Sequence, residues 1–276
     1  MTVPSSVPSI LLAGCGKMGG ALLDGWLASP TPPRLVVLDR HRSGSDDTVT
    51  IVRTAAEIPA DFQPDIIVLA VKPSVAEIVI DALGKALGPR LSGAAILSVM
   101  AGRTCETLSD SARLAGADIP VLRAMPNTPS SVGAGISGLY ASAAATPEQK
   151  SICHDLLFAV GDVVPVENED DLSVVTAISG SGPAYVFLLA ELLEKAGQQH
   201  GLAPNVARRL ARGTIYGAGR MLDDLPESAE DLRKAVTSPN GTTAAALAVL
   251  MKPDAWPETV PKAIDAATKR ADELAG

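Results

Sequence analysis

Up to residue 166 the chain alternates between short apolar runs and stretches whose apolar positions recur every three or four residues. Beyond it only the second pattern remains. The apolar runs at 9–13, 34–38, 49–53, 65–71, 94–100, 121–124, 135–143 and 162–166 are too short for helices and are bounded by Gly, Pro, Ser or Asp, so they predict strands. The run 65–71 is apolar almost throughout, as a parallel strand buried on both faces must be. Helical spacing over 20–28, 74–87, 104–115 and 147–159 fills most of the gaps. Strands alternating with helices specify a mostly parallel sheet covered on both faces.

The second half reads as helices over 169–178, 183–200, 204–224, 227–236, 244–251 and 258–274. Ser181 as cap and Pro183 in the first turn mark one start, and Gly201 marks the following stop. The predicted division is therefore residues 1–166 for the sheet and 167–276 for an all-helical domain. Hydrophobic residues make up 47% of the 276 but aromatic ones only 3%, so cores must be built from Ala, Val, Leu and Ile. Long Ala/Leu faces with no sheet to cover them call for burial against a second copy of the same domain.

Charge and cysteine content narrow the setting. The net charge is −8 and there is no basic run, which argues against nucleic acid as a partner. Cys15, Cys105 and Cys153 are widely spaced, with neither metal-ligand spacing nor an even count, so no metal site is expected and a reducing cytoplasm fits. The first nine residues do not read as a signal peptide, and no uninterrupted apolar run reaches the ~18 residues of a membrane span.

Candidate chemistry gathers at the strand ends. The first strand runs into Gly14-Cys15-Gly16-Lys17-Met18-Gly19, a helix follows, and Asp39 closes the second strand about 20 residues past Gly19. This is the context of a Rossmann-type dinucleotide-binding fingerprint. The glycines allow a tight turn, close approach of the pyrophosphate, and close helix packing. Asp39 suits the ribose hydroxyls of NAD, whereas the adjoining Arg40 suits the 2′-phosphate of NADP; the pair leaves that contest open. Only residues 40–48 separate the second strand from the third, fewer than the ≥ 10–12 or so of an ordinary crossover, so the helix there is expected to shrink to a turn. Ala70-Val71-Lys72-Pro73 ends the central strand at the ligand crevice, prolines on either side stiffen Asn127-Thr128 at another strand end, and all six residues are expected to bind the cofactor. His41, His154 and His200 share no spacing or partner, Cys15 serves as a small residue in the turn, and the acids of 167–171 read as a solvated helix start.

A second centre is Thr237-Ser238-Pro239-Asn240-Gly241-Thr242-Thr243, lying between two helical stretches. Pro, Asn and Gly stop one helix, and the Thr242 and Thr243 hydroxyls stand where the next needs its cap. Free N–H groups at such a start attract a small carboxylate.

These motifs resemble, in order and over nearly the whole chain, the pyrroline-5-carboxylate reductase family; Arg123-Ala124-Met125-Pro126-Asn127-Thr128-Pro129 and Ser179-Gly180-Ser181-Gly182-Pro183-Ala184-Tyr185 complete the set. The resemblance implies a Rossmann domain, a helical domain interleaved with its mate in a homodimer, and rings of dimers. It implies hydride transfer from NADPH, with NADH tolerated, to the C=N bond of 1-pyrroline-5-carboxylate, giving L-proline. By the same resemblance Ser238 and the N–H groups of Gly241, Thr242 and Thr243 hold the substrate carboxylate, and the Thr243 hydroxyl bonds the ring nitrogen. The family pattern carries two glycines in this corner, and here the first is Asn240, which tolerates left-handed torsions. Two other readings share features. The β-hydroxyacid dehydrogenases share the first half but use a lysine early on the interdomain helix, where this chain has none before Lys195. A non-catalytic nucleotide sensor would not need the Thr243 corner.

Overall fold

The computed structural model describes residues 7–42, 44 and 48–275. The chain packs as two units, one of residues 1–180 with 267–276 and one of residues 181–266.

The first unit is built on an eight-stranded sheet: β1 (Ser9–Ala13), β2 (Arg34–Leu38), β3 (Val49–Val52), β4 (Ile66–Leu69), β5 (Ala95–Ser98), β6 (Val121–Met125), β7 (Gly135–Ala141) and β8 (Gly161–Pro165). The order across the sheet is β3-β2-β1-β4-β5-β6-β7-β8. The first six strands are parallel, so the order reverses between β1 and β4, where ligands enter an open α/β sheet. β7 pairs antiparallel with β6, and β8 parallel with β7.

Two cores cover the faces. On one side α2 (Ala76–Leu87) and α3 (Cys105–Leu114) bury Ile80, Leu83, Leu87 and Leu108 against Leu11, Ile67 and Ile96. On the other, α1 (Lys17–Leu27) and α4 (Pro147–Phe158) bury Leu22, Leu23, Trp26 and Leu157 against Ile10, Leu12 and Val68. Alternate residues of β1 thus serve opposite cores, the period of two that a strand imposes. The Trp26 indole N–H donates to the Leu156 carbonyl (2.7 Å), so the buried ring keeps a partner. Between β2 and β3 no helix occurs among the described residues; part of that expected turn, Ser43 and 45–47, lies outside them.

α5 (Asp171–Val175) passes into one turn of π-helix, Thr176–Gly180, and then α6 (Gly182–Gln199). Ser181 makes no side-chain cap, contrary to expectation, because the chain before it is already helical. The acids of 167–171 are also not simply a solvated helix start. Glu169 pairs with the buried Arg123 on β6 (2.7 Å) and accepts from the Cys105 N–H (2.6 Å).

The second unit contains all of α6, α7 (Pro204–Asp224), α8 (Ala229–Ala235) and α9 (Thr242–Leu250), and the first half of α10 (Trp256–Ala275). α6 and α7 pack where Gly197 leaves room for Ala207. Among the described residues only Ala207 and Ala211 are buried in this unit, while Phe187, Tyr216 and Leu222 are 66%, 71% and 57% exposed. By length and composition the stretch Asp171–Gln199 could even cross a membrane, although no uninterrupted apolar run does so. An apolar helical unit without its own core is an incomplete structure in water.

Candidate functional site

The glycine-rich turn sits where the strand order reverses. Gly14 (φ +90°) turns the chain out of β1, its N–H donating to the Leu38 carbonyl (2.9 Å) while the Ala70 N–H donates to that of Ala13 (2.8 Å). A Cβ at Gly14 would lie 2.8 Å from the Ala70 carbonyl oxygen, and one at Gly19 would lie 2.2 Å from that of Gly14. A Cβ at Gly16 would meet nothing within 4 Å. Two glycines are therefore demanded by the protein itself, and the middle one faces space left for something else. Gly16 is also the N-cap of α1, with no capping side chain and no acid in the first turn, so the positive helix end stays available to an anion. These are the features a dinucleotide pyrophosphate requires.

Asp39, at the end of β2, is engaged by the main chain. Its Oδ2 accepts from the Cys15 N–H (2.7 Å) and its Oδ1 from the N–H groups of His41 (2.7 Å) and Arg42 (3.2 Å). Burial pushes the carboxyl upward, but these three donors outweigh it and hold Asp39 below the ordinary carboxylate value. Asp39 thus ties the segment after β2 to the glycine-rich turn. Arg40 is exposed; the Arg42 guanidinium reaches α1, 3.8 Å from where a Gly20 Cβ would stand. Burial raises the Cys15 thiol, with Arg42 opposing, so the sulfur stays protonated at neutral pH. Lys17 is exposed and Met18 half-buried on the first turn of α1.

Ala70 and Val71 follow β4 beside Gly14, and Lys72 and Pro73 are exposed as the chain turns toward α2. Ser98 and Val99, at the adjoining end of β5, lie beside Leu69, Ser98 fully buried and the Val99 N–H donating to the Leu69 carbonyl (3.1 Å). Their sequence signal is a serine closing the apolar run Ala94-Ala95-Ile96-Leu97. Thr128 is exposed at the end of β6, but the Asn127 amide points inward. Asn127 Nδ2 donates to the Ser179 carbonyl (3.1 Å), and its Oδ1 accepts from the Ile136 N–H (3.0 Å).

The other candidate centre lies wholly in the second unit. Asn240 (φ 60°) is the one non-glycine residue with positive φ among those described, so it takes the left-handed turn expected of it. The Gly241 N–H donates to the Ser238 carbonyl (3.1 Å), and a Cβ at Gly241 would collide with the Ser238 hydroxyl at 2.4 Å. A side chain at position 241 would have to displace that hydroxyl, which occupies the space at the helix start. The expected cap needs correction: Gly241 is the N-cap, no side chain caps α9, and Thr242 and Thr243 are its first helical residues. The hydroxyls are consequently not consumed by the cap, and the first-turn N–H groups keep no intrahelical acceptor. Among the described residues no cluster of three metal-ligating side chains occurs.

Residues 9–102 match the family model of NADP oxidoreductases, coenzyme F420-dependent, and residues 169–274 match that of pyrroline-5-carboxylate reductase dimerisation. A pyrroline-5-carboxylate reductase of Pseudomonas aeruginosa is 37% identical, over 98% of each chain. The chain belongs to the pyrroline-5-carboxylate reductase family. A solved family structure from Coxiella burnetii is 34% identical, covers 98% of this chain and 100% of its own, and superposes with a TM-score of 0.87. A Plasmodium falciparum pyrroline carboxylate reductase, solved with NADP bound, is 28% identical, covers 98% of each chain, and gives a TM-score of 0.79. Family membership also decides against the β-hydroxyacid dehydrogenase reading, consistent with the absence of a lysine before Lys195 on α6.

Proposed function

We propose that this chain reduces 1-pyrroline-5-carboxylate to L-proline in the cytoplasm, with NADPH as its preferred reductant and NADH as a poorer one. The carrying observation is the uncapped start of α9 with the Ser238 hydroxyl beside it, in a chain of this family. The substrate carboxylate is held by Ser238 and the N–H groups of Gly241, Thr242 and Thr243, a seat suited to an anion by hydrogen bonding and helix polarity. The Thr243 hydroxyl bonds the ring nitrogen, which takes up a proton as the C=N bond is reduced. Reduced nicotinamide, when bound, supplies the hydride to the imine carbon. Holding the ring in register is the protein's main contribution, so no general-acid constellation is needed.

On the nucleotide side, Gly14, Cys15, Gly16, Lys17, Met18 and Gly19 cradle the pyrophosphate, and Ala70, Val71, Lys72, Pro73 and Thr128 line the crevice. Asp39 holds the segment that carries Arg40 and Arg42 to the 2′-phosphate. As a division of labour, residues 1–166 bind the nucleotide, while 167–276 dimerise and hold the substrate. The exposed apolar residues of α6 and α7 are buried in a homodimer, and dimers join in rings. The test is substrate-dependent loss of nicotinamide absorbance. 1-Pyrroline-5-carboxylate should consume NADPH, and 1-pyrroline, which lacks the carboxylate, should do so at least tenfold more slowly at equal concentration. Equal rates would remove the carboxylate seat from the account.

A further inference from the structure

We infer that Asn127 is a positioning residue whose amide fixes the main chain at Ser179, just before the chain enters α6. In an α-helix the Ser179 carbonyl would accept from the residue four positions on. That residue is Pro183, which has no N–H to give. The chain at Thr176–Gly180 winds instead as a π-turn, a local irregularity found often at functional sites. Asn127, 7% exposed and 52 residues away in sequence, supplies the missing donor through Nδ2.

The amide's orientation is forced by its partners. The Ile136 N–H needs an acceptor and receives Oδ1, so the NH2 group must face the Ser179 carbonyl. The Asn127 carbonyl in turn accepts from the Ser130 N–H (3.1 Å), holding the short helical turn Thr128–Val132 in place. One side chain therefore ties three segments together: the end of β6, the start of β7, and the π-turn. Met125, two residues earlier, packs 3.8–3.9 Å from the Cβ position of Gly180 and closes the same joint. Two hydroxyls brace the turn from within, Thr176 donating to the Leu172 carbonyl (2.7 Å) and Ser179 to that of Val175 (2.9 Å). Neither reaches the Ser179 carbonyl. With its amide spent inside the protein, Asn127 acts on turnover by fixing the main chain at Ser179, not by touching the nucleotide.

The experiment uses full-length enzyme with Asn127→Asp. The carboxylate still accepts from Ile136 but sets an oxygen against the Ser179 carbonyl. The expected result is a kcat lowered about tenfold to a hundredfold, as slight misplacement of reacting groups produces. The NADPH dissociation constant, read by nicotinamide fluorescence on free enzyme, should stay within about twofold. A weakened NADPH affinity with kcat preserved at saturation would make Asn127 a nucleotide ligand and overturn the inference; an unaltered kcat would overturn it too. Asn127→Asp combined with Pro183→Ala gives the Ser179 carbonyl a main-chain donor and carries the test if the single variant does not fold. A folded double variant with kcat within about threefold of wild type supports the inference, and one that stays unfolded or equally impaired contradicts it. The kcat readings rest on the reductase activity proposed above. If wild-type enzyme consumes no NADPH with 1-pyrroline-5-carboxylate, that proposal fails separately, and Asn127 is then judged on NADPH affinity and on refolding by Pro183→Ala.

Discussion

Gly16→Ala separates the nucleotide cradle from the fold. A methyl at Gly16 meets no protein atom within 4 Å, and φ −74° suits alanine. The folded state loses only the difference between glycine and alanine as an N-cap, about 0.5–1 kcal/mol. For a chain of this size that is roughly 1–4 °C in melting temperature. The same methyl stands where the pyrophosphate must approach. Overfilling a fitted contact costs about 1–3 kcal/mol, or roughly five- to 150-fold in the NADPH dissociation constant. Gly19→Ala is the counterpart. Helix propensity favours alanine there by about 1 kcal/mol, but its Cβ would sit 2.2 Å from the Gly14 carbonyl oxygen and 3.1 Å from the Ala70 Cβ. A main-chain oxygen in a fixed turn cannot swing aside, so the clash wins and the protein loses stability. Thermal melting without ligand and NADPH titration by fluorescence should give opposite profiles for the two variants. Wild-type NADPH affinity in Gly16→Ala, or a loss of melting temperature equal to that of Gly19→Ala, would refute the reasoning.

Replacing Arg40 and Arg42 together by alanine should raise the KM for NADPH about ten- to a hundredfold and leave that for NADH nearly unchanged, as expected for loss of a charge-assisted contact; unchanged selectivity would show that the pair is only a solvated turn. Thr243→Ala should lower turnover more than it weakens an acyclic carboxylate inhibitor, and Ser238→Ala should do the reverse; equal effects on both would dissolve the division of roles between them. Dilution, followed by sedimentation and circular dichroism, should dissociate the enzyme with loss of helical signal, because the unit 181–266 has no core of its own; a folded, active monomer would contradict the proposed homodimer.

Much of the sheet was legible because burial leaves a direct trace. Strands buried on both faces, such as β1 and β4, must be apolar wherever they are buried, and the tight turn Gly14–Gly19 demands glycine at both of those positions. Strand direction leaves no such trace. The antiparallel β7 has the same apolar alternation it would have if parallel. Helix starts were misread where the preceding backbone mattered. Ser181 looks like a cap only if the chain before it is not helical, and Thr242 only if Gly241 does not already hold that position. The pairing of Arg123 with Glu169 and the reach of Asn127 to Ser179 join residues about 50 apart, and neither has a local sequence signal. The candidate site was legible as two sets of motifs. What the structure adds is which of their side chains are already committed inside the protein, Asp39 and Asn127 above all.

The most direct test of the central claim is the fate of the transferred hydrogen. Enzyme given 1-pyrroline-5-carboxylate and NADPH deuterated at the transferred position should form L-proline carrying one deuterium, on the former imine carbon, in step with nicotinamide oxidation. Proline without label, or NADPH consumed with no proline formed, would contradict reduction of the C=N bond by this chain.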